Sequence, residues 1–167
     1  MWGGLLSHGQ LAIGLLESSS MPKGENLNEE TNAKLIQQAY QSVNTGDIPS
    51  FLNVLAENVL WILPDIANVP FAGTWQGREQ VGQFFRRMVE VQDVVEFEPE
   101  EFIAKGEKVV VLGHFVMRVK ATGKVSRSHW VHVWKVDEGK ISYMREYVDS
   151  LAVSRAHSPA GHLEAAT

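Results

Sequence analysis

Cysteine is missing from the whole chain of 167 residues, which removes disulfides, thiolate nucleophiles and cysteine-held metals together. That fits a reducing compartment, and a cytoplasmic location is expected. Basic residues are neither abundant nor clustered. Fifteen Lys and Arg stand against 20 Asp and Glu, for a net charge of −5, and no basic stripe offers a nucleic acid its phosphate contacts. Long apolar runs are lacking too. Residues 1–20 come nearest, but Ser7, His8, Gly9 and Gln10 interrupt them and no Lys or Arg precedes them as in a signal peptide. Neither nucleic acid nor membrane is therefore expected as a partner. With no internal repeat and no low-complexity segment, what remains has the length and the 44% hydrophobic content of one globular domain with a real core.

Residues 1–25 read as a poorly packed extension, residues 26–157 as the domain and residues 158–167 as a loose tail. Asn28 is placed as an N-cap, with Glu29 and Glu30 in a first turn where the helix dipole favours them. Ile36, Ala39, Tyr40 and Val43 follow at helical spacing, and Gly46 ends the helix. Asp47 caps a shorter helix whose buried side is Ile48, Phe51, Leu52 and Leu55. Residues 59–63 (VLWIL) read as a strand, and residues 64–77, with Pro64, Pro70 and Gly73, as a loop bordering any cavity. Val81, Phe84, Phe85, Met88 and Val89 form one apolar stripe and predict a helix over residues 78–92. Strands are expected over 95–105 and 108–120, and a last turn over 151–157.

The most informative stretch is residues 124–149, KVSRSHWVHVWKVDEGKISYMREYVD, two period-2 runs about Asp137-Glu138-Gly139 that predict a hairpin. Alternation puts Ser126, Ser128, Trp130, His132 and Trp134 on one face of its first strand. On the second strand Met144, Glu146 and Val148 share a face, opposite Arg145, Tyr147 and Asp149. A plain core would use Val, Ile and Leu where the chain has two tryptophans, a histidine and hydroxyls; an apolar pocket with a few polar groups would look like this. Helices gathered on one side of four consecutive antiparallel strands make an α+β domain.

The segments TNAKLIQQAYQSVNTGDIPSFLNVLAENV, WQGREQVGQFF, ATGKV and VDEGKISYMREYVD resemble the nuclear transport factor 2-like superfamily, in its SnoaL-like and ketosteroid-isomerase-like branch. The resemblance implies a cone-shaped, cystatin-like α+β fold, a curved antiparallel sheet wrapped over N-terminal helices. It does not by itself name a reaction, because this fold hosts isomerases, dehydratases, epoxide hydrolases, cyclases and non-enzymatic binders. The ketosteroid isomerase base falls on Leu63, its oxyanion tyrosine on Tyr40 and its protonated aspartate on His132. One catalytic aspartate of limonene epoxide hydrolase falls on Glu146. Its Arg and Asp partners fall on Gly113 and Phe115 and its water-holding pair on Trp61 and Leu63, so epoxide hydrolysis is not expected. The base of SnoaL-type cyclases falls on Glu146 or Asp149.

The resemblance and the strand alternation both group His132 with Glu146 inside one apolar cavity, as a general-base unit in which the carboxylate orients the ring. Tyr40 is the candidate donor to a substrate oxygen. Trp61, Leu63, Phe85, Phe115, Met117, Ser128, Trp130 and Val148 are the candidate walls. Such a set suits a cofactor-free isomerase, lyase or cyclase that abstracts a proton next to a carbonyl of a small hydrophobic ligand. A non-catalytic binding module for such a ligand, or a protein-interaction domain with a filled core, is the alternative. No metal is expected, because His129 and His132 point to opposite strand faces. Val116, Val131 and Val133 make the outer sheet face apolar enough to predict a homodimer.

Overall fold

The computed structural model describes residues 23–159. The extension expected over residues 1–25 lies outside them except for residues 23–25, which are helical, and the expected tail lies outside except for Ser158 and Pro159. The elements in chain order are α1 (Lys23–Asn44), α2 (Ile48–Asn53), β1 (Leu55–Ile62), β2 (Thr74–Gln76), α3 (Arg78–Val91), β3 (Gln92–Lys105), β4 (Lys108–Val119), β5 (Val125–Asp137), β6 (Lys140–Val148) and α4 (Ser150–His157).

α1 begins upstream of Asn28, so that residue caps nothing. Thr31 donates to the Leu27 carbonyl at 2.7 Å, which shows the preceding turn already wound. The polar residues of this turn serve a tertiary contact instead. The Glu29 carboxylate accepts the Gly106 N–H at 2.8 Å, and the Asn32 amide donates to the Gly106 carbonyl at 3.0 Å. α1 is thereby pinned to the tight turn between β3 and β4. Gly46, at φ +74°, closes the helix in a conformation only glycine adopts freely. Asp47 then caps α2, its carboxylate accepting the Ser50 N–H at 3.1 Å.

The six strands form one sheet in the order β2-β1-β6-β5-β4-β3. β3 to β6 run antiparallel, as the sequence pattern implies, but β1 lies parallel to β6, pairing Trp61 with Met144. β2 arises inside the stretch expected to be a plain loop. Its three residues pair with the end of β1, Trp75 opposite Trp61, so that segment is a hairpin with a long arm. β3 also starts three residues earlier than expected, directly from the last turn of α3. Two register shifts in β3, between Val94 and Glu96 and between Pro99 and Glu101, add bulges that bend the edge of the sheet over α1. The result is a curved, unclosed sheet whose concave face carries the helices and a core including Ile36, Phe51, Val59, Val81, Val109 and Ile141.

Gly113 is the place of closest approach within the sheet. It pairs with Pro99 on one side and Trp130 on the other. A Cβ there would collide with the Glu98 carbonyl and the Trp130 indole. The missing side chain lets the indole lie flat across β4 and stack on Phe97, their centroids 5.1 Å apart.

Candidate functional site

The concave face leaves a cavity of about 1060 Å³ between the sheet and the helices. Its exposed lining residues Thr45, Arg86, Val89 and Val95 mark the side on which it opens. Of the expected wall, Trp61, Leu63, Phe85, Phe115, Met117 and Val148 line it, together with His132, Glu146 and Tyr40. Phe51, Phe71 and Phe84 join them without having been named as walls from the sequence, although the segment between β1 and β2 was expected to border a cavity.

Ser128 and Trp130 share the inward face but are not part of this wall. The Ser128 hydroxyl donates to the His129 carbonyl at 2.6 Å and accepts the Asp149 N–H at 3.0 Å, so it is spent on joining β5 to the end of β6. Trp130 turns into the gap over Gly113 and stacks on the other side against His132, centroids 4.1 Å apart. It supports the site from below rather than lining it.

His132 and Glu146 face one another in register across β5 and β6, and the His132 Nε2 lies 3.4 Å from the Glu146 carboxylate. Of the two candidate carboxylates, Glu146 lines the cavity, whereas Asp149 caps α4 by accepting the Ala152 N–H at 3.0 Å. His132 Nδ1 lies 2.7 Å from the Tyr40 hydroxyl, and the Trp134 indole N–H donates to that same hydroxyl at 3.0 Å. Trp134, which alternation places on the same face as His132, is thus part of the polar chain.

An indole N–H can only donate, so the Tyr40 oxygen accepts there. A neutral His132 ring that gives its Nε2–H to the Glu146 carboxylate has a bare Nδ1, and the Tyr40 proton then goes to that nitrogen. Burial pushes the Tyr40 phenol well above its ordinary value of 10; the Trp134 bond opposes that rise and the Glu146 charge adds to it. Tyr40 therefore stays a donor. The chain runs one way, from Trp134 to Tyr40 to His132 to Glu146, and ends on a carboxylate whose side chain is 14% exposed. Both nitrogens of His132 are engaged, which leaves Glu146 as the member with free lone pairs at the cavity.

Among the described residues no group of His, Asp and Glu is arranged to hold a metal ion, and no helix is long and apolar enough to cross a membrane. His114 and His129 lie on the outer face. His114 is bonded to Glu96 at 3.0 Å and to Glu100 at 2.8 Å.

A bent open sheet closed over helices, with a polar chain ending in an apolar hollow, defines a cone-shaped α+β domain of the nuclear transport factor 2-like kind. The chain belongs to the SnoaL-like domain family, whose profile matches residues 36–144. An NTF2-like protein of Burkholderia xenovorans LB400 is 32% identical, with a TM-score of 0.71 over 78% of this chain and 98% of that one. One of Burkholderia thailandensis E264 is 26% identical, with a TM-score of 0.71 over 77% and 98%. TerC, crystallised with polyporic acid, is 25% identical, with a TM-score of 0.69 over 76% and 98%. Among curated proteins there is no significant match.

Proposed function

We propose that this protein is a cofactor-free isomerase, lyase or cyclase that removes a proton next to a carbonyl of a small hydrophobic compound, with Glu146 as the base. The observation that carries this reading is the hydrogen-bonded chain Trp134–Tyr40–His132–Glu146, which runs one way with the His132 proton on Nε2. A lone carboxylate in an apolar hollow would be poorly solvated. Here the His132 Nε2–H supports its charged form while leaving lone pairs for a substrate C–H. His132 and Tyr40 act behind it, holding the proton on the nitrogen that faces the carboxylate. As Glu146 takes the proton, the C–H electron pair moves into the enolate, and the protonated carboxyl then returns that proton to the same carbon or a neighbouring one; the Tyr40 hydroxyl, expected to donate to the substrate oxygen, gives its proton to His132 instead. The crystallisation of TerC with polyporic acid supports a small organic ligand for the shared hollow.

A second reading, a binding module without turnover, is favoured by the 3.4 Å separation of His132 and Glu146, long for a bond that must work in catalysis. The two separate in heavy water. Exchange of the α-protons of β-tetralone, followed by NMR, should be accelerated by the protein. Glu146→Gln should lower that rate by about 10²- to 10⁴-fold, the usual worth of a positioned base. Binding of the ketone with exchange at the buffer rate would reject the enzyme and leave the binder. The proposal includes a cytoplasmic homodimer joined through half-buried Val131 and Val133 on the convex face, a contact that would leave the concave side open; Val116, expected to join them, is already buried within the chain.

A further inference from the structure

The inward face of β5 carries two polar stations, not one. His132 stands near the hairpin end of the strand. Near its other end Ser126 also lines the cavity and is 3% exposed. Its Oγ has no hydrogen-bond partner among the described residues. Ser128, two residues on, has two partners for its hydroxyl, and the hydroxyls of exposed Thr31 and Thr45 and half-buried Thr122 each bond a carbonyl. A buried hydroxyl without a partner is uncommon and costs free energy in the empty protein, so it calls for an explanation.

Its neighbours suggest one. Ser126 pairs with Met117, and the Gln92 side chain, 6% exposed, lines the cavity from the start of β3 at the same end of the sheet. Gln92 pairs with Val119, one inward position beyond Met117, so the amide and the hydroxyl approach the cavity from two strands that flank β4. The amide supplies a donor and an acceptor and the hydroxyl supplies both. Between this end and Glu146 the wall is Met117, Phe115 and Val148, which offer no polar atom from their side chains. Six residue steps of strand lead from Ser126 to His132, about 20 Å along the chain at the usual rise, and a shorter chord across a concave face.

We propose that Ser126 and Gln92 form a distal subsite for the far end of an elongated ligand. Its substrate class is an apolar body with an oxygen function at each end, one presented to Glu146 and the other hydrogen-bonded by Ser126 and Gln92. This rests on the reading of the cavity as a small-molecule site and adds to it a length and a second polar terminus. The long hollow selects against compounds that satisfy Glu146 alone, because they would leave the buried Ser126 hydroxyl unpaired.

The test is a molecular ruler applied to the full chain. α,ω-Alkanediols from octane to hexadecane are titrated against the monoalcohols of equal length, with tryptophan fluorescence as the readout. The proposal expects the diol to bind about threefold to tenfold more tightly than its monoalcohol, the worth of one net hydrogen bond, with a maximum at one chain length. Ser126→Ala should shrink that ratio towards unity at the optimum length. Because the hydroxyl has no structural partner, the same variant should melt within about 2 °C of the parent, or above it. Equal affinities for diol and monoalcohol at every length would overturn the subsite while leaving the cavity in place. A large drop in melting temperature for Ser126→Ala would overturn it too, by showing that the hydroxyl is structural. Failure of both series to bind would reject the small-molecule cavity itself and the subsite with it.

Discussion

Replacing Tyr40 by Phe isolates the polar chain from the packing around it. The ring keeps its contacts with Phe97, Phe102, Trp130 and Trp134, whose centroids lie 5.5 to 6.0 Å away. The hydroxyl alone goes. Two buried groups then lose their partner: the Trp134 N–H, which donated at 3.0 Å, and His132 Nδ1, which accepted at 2.7 Å. An orphaned buried donor or acceptor costs about 1–3 kcal/mol. The buried hydroxyl had its own desolvation cost, which the variant no longer bears, so the net loss should be about 2–4 kcal/mol. Urea unfolding measures it, with an unchanged m-value as the sign that the fold is intact. The melting temperature should fall by about 4–15 °C. Trp134→Phe removes one of the two orphans, so Tyr40→Phe should cost less in that background than in the parent, and the cycle gives the coupling directly. Nitrogen NMR of the His132 ring should show the proton on Nε2 in the parent and a mixture of tautomers in the variant. A loss below about 0.5 kcal/mol, with no change in the ring signals, would refute the assignment of bond directions.

Other outcomes follow from single features. Gly113→Ala should destabilise the protein by about 3 kcal/mol, because the new methyl meets a backbone carbonyl and a stacked indole with no room to retreat; a normal melting curve would contradict the packing described. The bonds from Glu96 and then Glu100 raise the His114 pKa above 6.5. Its contribution to stability is therefore full below 6.5 and fades as pH rises through the raised value, so melting temperature should decline over that window. Changing both glutamates to Gln should flatten that decline, and an unaltered slope would rule out His114 as its source. The homodimer predicts twice the chain mass by light scattering at micromolar concentration, and Val131→Glu should give the monomer. A monomer mass for the parent would end that proposal.

What the sequence discloses here is which face a side chain takes. It does not disclose how far the side chain leans within that face. The turn at Glu138-Gly139 sets the register of β5 and β6, so the meeting of His132 with Glu146 is readable from alternation. Trp130 obeys the same alternation, yet its ring leaves the cavity for the gap at Gly113, a void that only the neighbouring strand creates. Ser128 is likewise on the expected face, but its hydroxyl is captured by the Asp149 N–H at the end of β6. Trp134 looks like bulk hydrophobe in a pattern that records polarity and ignores a single N–H. Asn28 looks like a cap because local preference cannot see that the helix already runs from Lys23 and that Glu29 and Asn32, just after it, are held by Gly106. β2 and the parallel joint of β1 with β6 were the least legible, since both depend on partners distant in sequence and one is three residues long.

That parallel joint also orders events in time. Trp61 of β1 and Met144 of β6 pair across most of the domain's length, and both line the cavity. The hairpins β3–β4, β4–β5 and β5–β6 can zip from local turns, whereas β1 must wait for the last strand before its edge is satisfied. During synthesis the hollow cannot be walled until β6 has left the ribosome. Until then the aromatic side of β1 lacks its strand neighbour, with Phe51 of α2, Phe84 and Phe85 of α3 and Trp134 of β5 as cover for Trp61. Slow closure of this seam, rather than helix formation, should therefore set the refolding rate. Substitutions that weaken the β1–β6 pairing should lengthen the life of a half-open intermediate with its aromatic lining exposed.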